Sequence, residues 1–189
     1  MLVCTRLVHT YSEDIMKRLL SLIVLLIVVI VTVDKLPNVT VKKLPKSQPT
    51  PVEQFMHRVA LIESGGNYRV TNEFGMMGKY QFSPSTVRVL GFRVTQKQFL
   101  SDPKIQDSVM FAYMKANHDE LSYYIKKYNG KMFNGVKVTR AGILAGAHFA
   151  GTTGVVAYFK NGGSGIVDAR GTSLKQYMAY FSNFNLPEI

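Results

Sequence analysis

The sequence predicts a mainly α fold: about six or seven short helices in one domain over residues 51–189, preceded by an N-terminal hydrophobic helix. Three observations carry this. Helix-start signals recur from Thr50 onward, several with proline directly after the capping residue. Apolar residues recur at helical spacing. No segment shows sustained apolar–polar alternation, so β structure amounts at most to a small hairpin within Tyr68–Phe82.

Thr50-Pro51-Val52-Glu53 opens the first helix, with Thr50 as cap, Pro51 at the first helical position and Glu53 closing a capping box. Val52, Phe55, Met56, Val59 and Ile62 then share one face, and Gly65 or Gly66 ends the helix in the left-handed conformation. Ser83-Pro84 starts a second helix that Gly91 ends. Thr95 and Gln98 box a short third. Asp102-Pro103 starts a long segment running to Asn129-Gly130, with a break expected near Asn117. Thr139 to Gly151, the stretch TGVVAYFKNGG after it, and TSLKQYMAYFSNF complete the set.

The segments before the domain differ in composition. Leu19–Val33 holds no charge and follows the basic Met16-Lys17-Arg18. A basic region followed by an apolar one is the pattern of an export signal or signal anchor. Residues 16–33 are therefore assigned to a membrane-inserting segment, retained as an anchor or cleaved as a signal peptide. The run is shorter than the roughly 20 residues of a full span. Residues 34–50 are rich in Pro, Lys and polar residues and read as an extended basic linker. Residues 1–15 resemble neither signal nor domain, and either Met1 or Met16 could be the start.

The net charge is +11. Such a balance suits an acidic partner: nucleic acid, anionic lipid or an anionic cell-wall polymer. The one cysteine, Cys4, precedes the apolar run, so cysteine nucleophiles, Cys-based zinc sites and internal disulfides are not expected in the domain. His9, His57, His118 and His148 form no i, i+4 ligand pair, so no metal and no cofactor is expected. Ser64 lacks the G-x-S-x-G context of a serine nucleophile. The basic and aromatic Tyr124–Tyr128 sits in a helical pattern and reads as a solvated face, so no nucleic-acid partner is expected.

One carboxylate stands out. Glu63 ends the first helix, at the end of the dipole that disfavours an anion, and lies on the apolar face with Val52, Phe55, Met56 and Val59. Partial burial favours the neutral acid, the form a general acid needs. The alternative is a helix-ending glutamate that reaches water or pairs with Arg58 or Arg69.

Three stretches bear on that choice: Glu63–Tyr68 (ESGGNY), Gly75–Thr86 (GMMGKYQFSPST) and Ala145–Phe159 (AGAHFAGTTGVVAYF). In order and spacing they resemble the lytic transglycosylase and goose-type lysozyme superfamily. The pattern there is a helix-ending E-S, then G-x-x-G-x-x-Q-x-x-P, then A-x-x-A-G-x-x-x-V. The resemblance implies a lysozyme-like domain with peptidoglycan glycan strands as substrate. It assigns Glu63 as catalytic acid and base, with Ser64 supporting it. Gly75 and Gly78 would let the backbone pass close to a sugar, and Gln81 would line the cleft. Ala150-Gly151 would close the cleft wall. Where the family has Tyr-Asn before that A-G, this chain has His148-Phe149, which makes His148 the candidate replacement partner. Tyr68 and Tyr80 flank the acid and are candidates for stacking on sugar rings, with core packing as the alternative. The Tyr177–Phe184 aromatics are assigned to the core instead.

The implied activity is cleavage of the β-1,4 bond between N-acetylmuramic acid and N-acetylglucosamine, leaving 1,6-anhydromuramyl ends. A lysozyme-like hydrolase would need a second carboxylate such as Glu73. A non-catalytic glycan-binding or structural domain is a further alternative. The expected setting is the periplasm or cell wall, membrane-anchored or secreted, in wall remodelling or in envelope-spanning or phage machinery.

Overall fold

Thr50 caps α1 (Pro51–Ser64), its side chain accepting from Glu53 N–H while Glu53 returns a bond to the Thr50 N–H. The helix stops at Gly65, whose φ of 64° is a left-handed turn that favours glycine. Phe55, Met56, Val59 and Ala60 are buried along one face. Both ends are as the sequence predicts; the expected apolar face holds at Phe55, Met56 and Val59, but Val52 is only partly buried and Ile62 is exposed, with Ala60 buried instead. The computed structural model describes residues 21–22, 48–164, 167 and 171–189.

The chain divides into two units, Met1–Lys46 and Ser47–Ile189. In the first, only Ser21 and Leu22 are described, and both are helical. The rest of the expected extension, membrane segment and linker, up to residue 47, lies outside the described residues. The second unit is mainly helical. Short helices α2 (Pro84–Val89) and α3 (Gln96–Ser101) begin at Ser83 and Thr95. The long α4 (Pro103–Glu120) begins at Asp102 and passes at Leu121 into α5 (Ser122–Tyr128). The break thus comes four residues after Asn117, where Leu121 is fully buried.

The structure also differs in its β content. Tyr68–Phe82 forms isolated bridges, Thr71 to Met77 and Met77 to Phe82, rather than a ladder. The two-stranded sheet lies elsewhere: β1 (Met132–Phe133) pairs antiparallel with β2 (Val136–Lys137). Asn134 and Gly135 between them both have positive φ, 48° and 76°, as a tight primed hairpin turn requires.

The centre of the domain is α6 (Arg140–Lys160), which bends at Gly151 (φ 70°, ψ 168°) and so joins two expected helices into one bent element. It is long and apolar enough by composition to cross a membrane, but more than half of its apolar window is buried inside this domain. Its buried residues run from Ala141 through Ala147 and resume at Gly154. Against it packs α7 (Leu174–Tyr180). The approach is close because α6 presents glycines there. A Cβ on Gly142 would lie 2.8 Å from the Met178 carbonyl oxygen, and one on Gly146 would lie 2.7 Å from Leu174 Cδ1. This glycine pair, one turn apart, sets where the side chains of α7 fall.

Candidate active site

A cavity of about 780 Å³ opens beside the end of α1. Glu63, Asn72, Gln81, Phe149, Gln176 and Tyr177 are among its walls, so α1, the loop after it, α6 and α7 all contribute. Its size is that of a small-ligand cleft. Glu63 is the one carboxylate among the described residues that line it. Its side chain is 24% exposed.

The surroundings of Glu63 are ordered by three contacts. The Tyr177 hydroxyl donates to Glu63 Oε1 at 2.9 Å. The Tyr177 ring is stacked on Phe149, with centroids 4.9 Å apart and planes at 24°. His148 Nε2 lies 3.7 Å from the same Oε1 and 3.1 Å from the Tyr80 carbonyl oxygen. The longer distance is electrostatic contact rather than a hydrogen bond. The shorter one fixes the tautomer: the Nε2–H donates to the Tyr80 carbonyl. His148 Nδ1 is buried with no hydrogen-bond partner, which suits a bare ring nitrogen better than a stranded N–H. Burial lowers the His148 pKa below its ordinary value, against the pull of the Glu63 charge and the Tyr80 carbonyl. The imidazole is therefore neutral near pH 7 and adds no positive charge beside Glu63. Oε1 is taken, and Oε2 makes no hydrogen bond to the described residues.

The loop carrying Gln81 is held from below by a residue the sequence did not single out. Gln106 on α4 is fully buried. Its Oε1 accepts from the Lys79 N–H, and its Nε2 donates to the Tyr68 and Phe99 carbonyls, each at 2.8 Å. Gly78 (φ 72°) packs against that amide, and a Cβ there would overlap it. Gly78 thus clears space for Gln106 rather than for a sugar, which corrects the sequence-based expectation. Gln81 itself adopts a positive φ of 54°, an unusual conformation for a side chain-bearing residue. Its Nε2 donates to the Gly78 carbonyl at 2.8 Å while the side chain lines the cavity.

Other expected site residues fall outside the cavity wall. Ser64 Oγ donates to the Lys79 carbonyl at 2.9 Å, tying the end of α1 to the Gln81 loop. Its hydroxyl is committed to the scaffold, not to a ligand. Tyr80 is only 1% exposed, and its hydroxyl donates to Asp107 at 2.6 Å. Burial and then that bond push its phenol above the ordinary range, so it stays a donor. With its ring in the core it offers no face for stacking; it serves the site through its carbonyl, which orients His148. The Tyr68 ring is covered by Arg69, with Cζ 5.1 Å from its centroid, and is not part of the wall. Glu73 is exposed and also outside it. Asp168 lies outside the described residues.

Glu63, Gln81 and His148 are thus brought together as expected, while Tyr177, Gln106 and Phe149 join them unannounced. Among the described residues no group of three His, Cys, Asp or Glu side chains is placed to hold a metal ion. No family model matches the chain, and no curated protein or solved structure matches it significantly.

Proposed function

We propose that residues 51–189 form a lysozyme-like domain that cleaves peptidoglycan glycan strands as a lytic transglycosylase. The observation that carries this reading is Glu63: a partly buried acid, the one carboxylate among the described residues of a sugar-sized cleft, oriented through one oxygen by Tyr177 and making no hydrogen bond to the described residues through the other. That is the arrangement of a general acid.

Protonated at Oε2, Glu63 gives its proton to the bridging oxygen as the bond from muramyl C1 breaks. The acetamido carbonyl oxygen of the same sugar closes on C1 and holds the developing positive charge. Glu63, now a carboxylate, takes the proton of the C6 hydroxyl as O6 attacks C1 and displaces the acetamido oxygen. The products are a new 4-hydroxyl end and a 1,6-anhydro end, and no water is consumed. The lack of a second acid among the described wall residues favours this route over hydrolysis, which in two-carboxylate enzymes needs one.

The hydrophobic segment at residues 16–33 would hold the domain at a membrane facing the wall, and the basic linker would lie along an anionic envelope surface. Digesting sacculi in ¹⁸O-enriched water tests the chemistry. Anhydro ends without the label are the expected product. Labelled reducing ends would mean hydrolysis, and release of neither would mean a non-catalytic domain.

A further inference from the structure

A second groove, of about 600 Å³, lies between α1 and α7 and is lined by Gln54, His57, Arg58, Leu61, Tyr180 and Asn183 among others. Tyr180 lines both this groove and the Glu63 cleft, so one ring forms a shared wall. α1 also runs through both: Ile62 and Glu63 face the cleft, Arg58 and Leu61 the groove. At 1.5 Å per residue, Arg58 stands about 7.5 Å from Glu63 along the helix axis.

Among the described residues, the charge of Arg58 meets a ring face and no anion. Its guanidinium lies over the Tyr180 ring, 4.5 Å from the centroid. It makes no hydrogen bond or ion pair with any described residue, and no carboxylate lines the groove. Stacking on the ring fixes the plane of the fork and leaves its N–H donors free for a planar anion. Beside it, Leu61 and Tyr180 are 40% and 46% exposed and offer apolar surface. The groove therefore suits a ligand that combines short apolar side chains with carboxylates.

We propose that this groove binds the peptide stem borne by the muramyl sugar, with Arg58 engaging a stem carboxylate. The inference rests on the glycan-cleaving reading of the adjoining cleft. On a stem-bearing polymer the lactyl carboxyl is tied up as an amide and the stem carries the carboxylates, so a cation placed beside the cleft reads the stem. The consequence is a preference for glycan that carries stems over glycan stripped of them.

The test uses the full-length chain in detergent and two soluble ligands: the disaccharide N-acetylglucosaminyl-N-acetylmuramic acid carrying a tetrapeptide, and the same disaccharide with its stem removed and its lactyl carboxyl capped as the amide. Neither contains the scissile bond, so binding is read without turnover. The stem is expected to tighten binding about 5- to 10-fold, an increment on the scale of one charge-assisted contact. Arg58→Ala and Arg58→Gln should abolish that increment and leave affinity for the stemless disaccharide unchanged. Amidating the stem carboxylates should do the same to the parent protein. Equal affinity for the two ligands, an increment that survives Arg58→Ala, or no measurable binding of either ligand overturns the proposal. Matching thermal melts of the variants show that the fold is kept. Stem-dependent binding without any product from sacculi would leave this site standing and remove the catalytic reading instead.

Discussion

Tyr177 donates its hydroxyl to Glu63 Oε1 at 2.9 Å, across 114 residues of chain. The bond links the last helix to the end of the first and leaves one carboxyl oxygen for the ligand. Replacing Tyr177 by Phe removes only that donor, because the ring stack on Phe149 remains. A hydrogen bond between neutral groups contributes about 0.5–1.5 kcal/mol. The variant is expected to lose up to about 10-fold in kcat on sacculi and to melt only a few degrees lower. An unchanged kcat would show that the hydroxyl does not orient the acid.

The same helix depends on Gly142. A methyl group there meets the Met178 carbonyl oxygen at 2.8 Å, a backbone atom that cannot rotate away. Gly142→Ala should push α7 from α6 and cost about 1–3 kcal/mol of stability. Tyr177 would move with the helix, so activity should fall at temperatures where the variant is still folded. Urea melts and kcat, measured together at 20 °C, check this.

His148 makes stability depend on pH. Its folded-state pKa is depressed by burial below the ordinary 6.5. Below that value the unfolded chain takes up a proton that the folded chain refuses, so folding is weakened as pH falls. The loss begins near 6.5, grows by up to about 1.4 kcal/mol per unit, and levels off at the folded pKa. His148→Gln keeps a donor for the Tyr80 carbonyl and removes the titration. Urea midpoints between pH 7.5 and 5.5 should fall more steeply for the parent than for the variant. Parallel curves would contradict a buried neutral imidazole.

Gln106 ties the Gln81 loop to Tyr68 and to α3 through three hydrogen bonds. Gln106→Leu keeps roughly the volume and strands one N–H and two carbonyls. At about 1–3 kcal/mol for each of the three stranded groups, a loss of at least about 3 kcal/mol is expected in chemical denaturation. Gly78→Ala strikes the same joint from the other side and should also destabilise, through its positive φ and its overlap with the amide. If either variant melts like the parent, the loop is not anchored there.

Local signals were the legible ones. The Thr50–Glu53, Thr95–Gln98 and Ser83-Pro84 starts and the Gly65 stop were all readable, because a cap is decided within four residues. Glu63 stood out for a related reason, since it sits at punctuated backbone before a glycine pair, whereas Gln81 was named only through the resemblance of the Gly75–Thr86 stretch. Tyr177 was not, since nothing near it in sequence distinguishes a core tyrosine from one whose hydroxyl meets an acid from another helix. Gln106 is a polar residue in an ordinary helical stretch, and its burial is set by carbonyls far from it in sequence. The Asn134-Gly135 hairpin was legible in principle. That dipeptide is a strong turn signal, but its strands are two residues each, too short for alternation to show. Tyr80 was misplaced because an aromatic beside a proposed acid reads alike whether its ring faces ligand or core.

The central claim is best tested by Glu63→Gln, which keeps an acceptor for the Tyr177 hydroxyl and removes the transferable proton. Release of 1,6-anhydromuropeptides from purified sacculi should fall by at least about a hundredfold, with circular dichroism and melting temperature unchanged. Release at the parent rate by the folded variant would contradict the account.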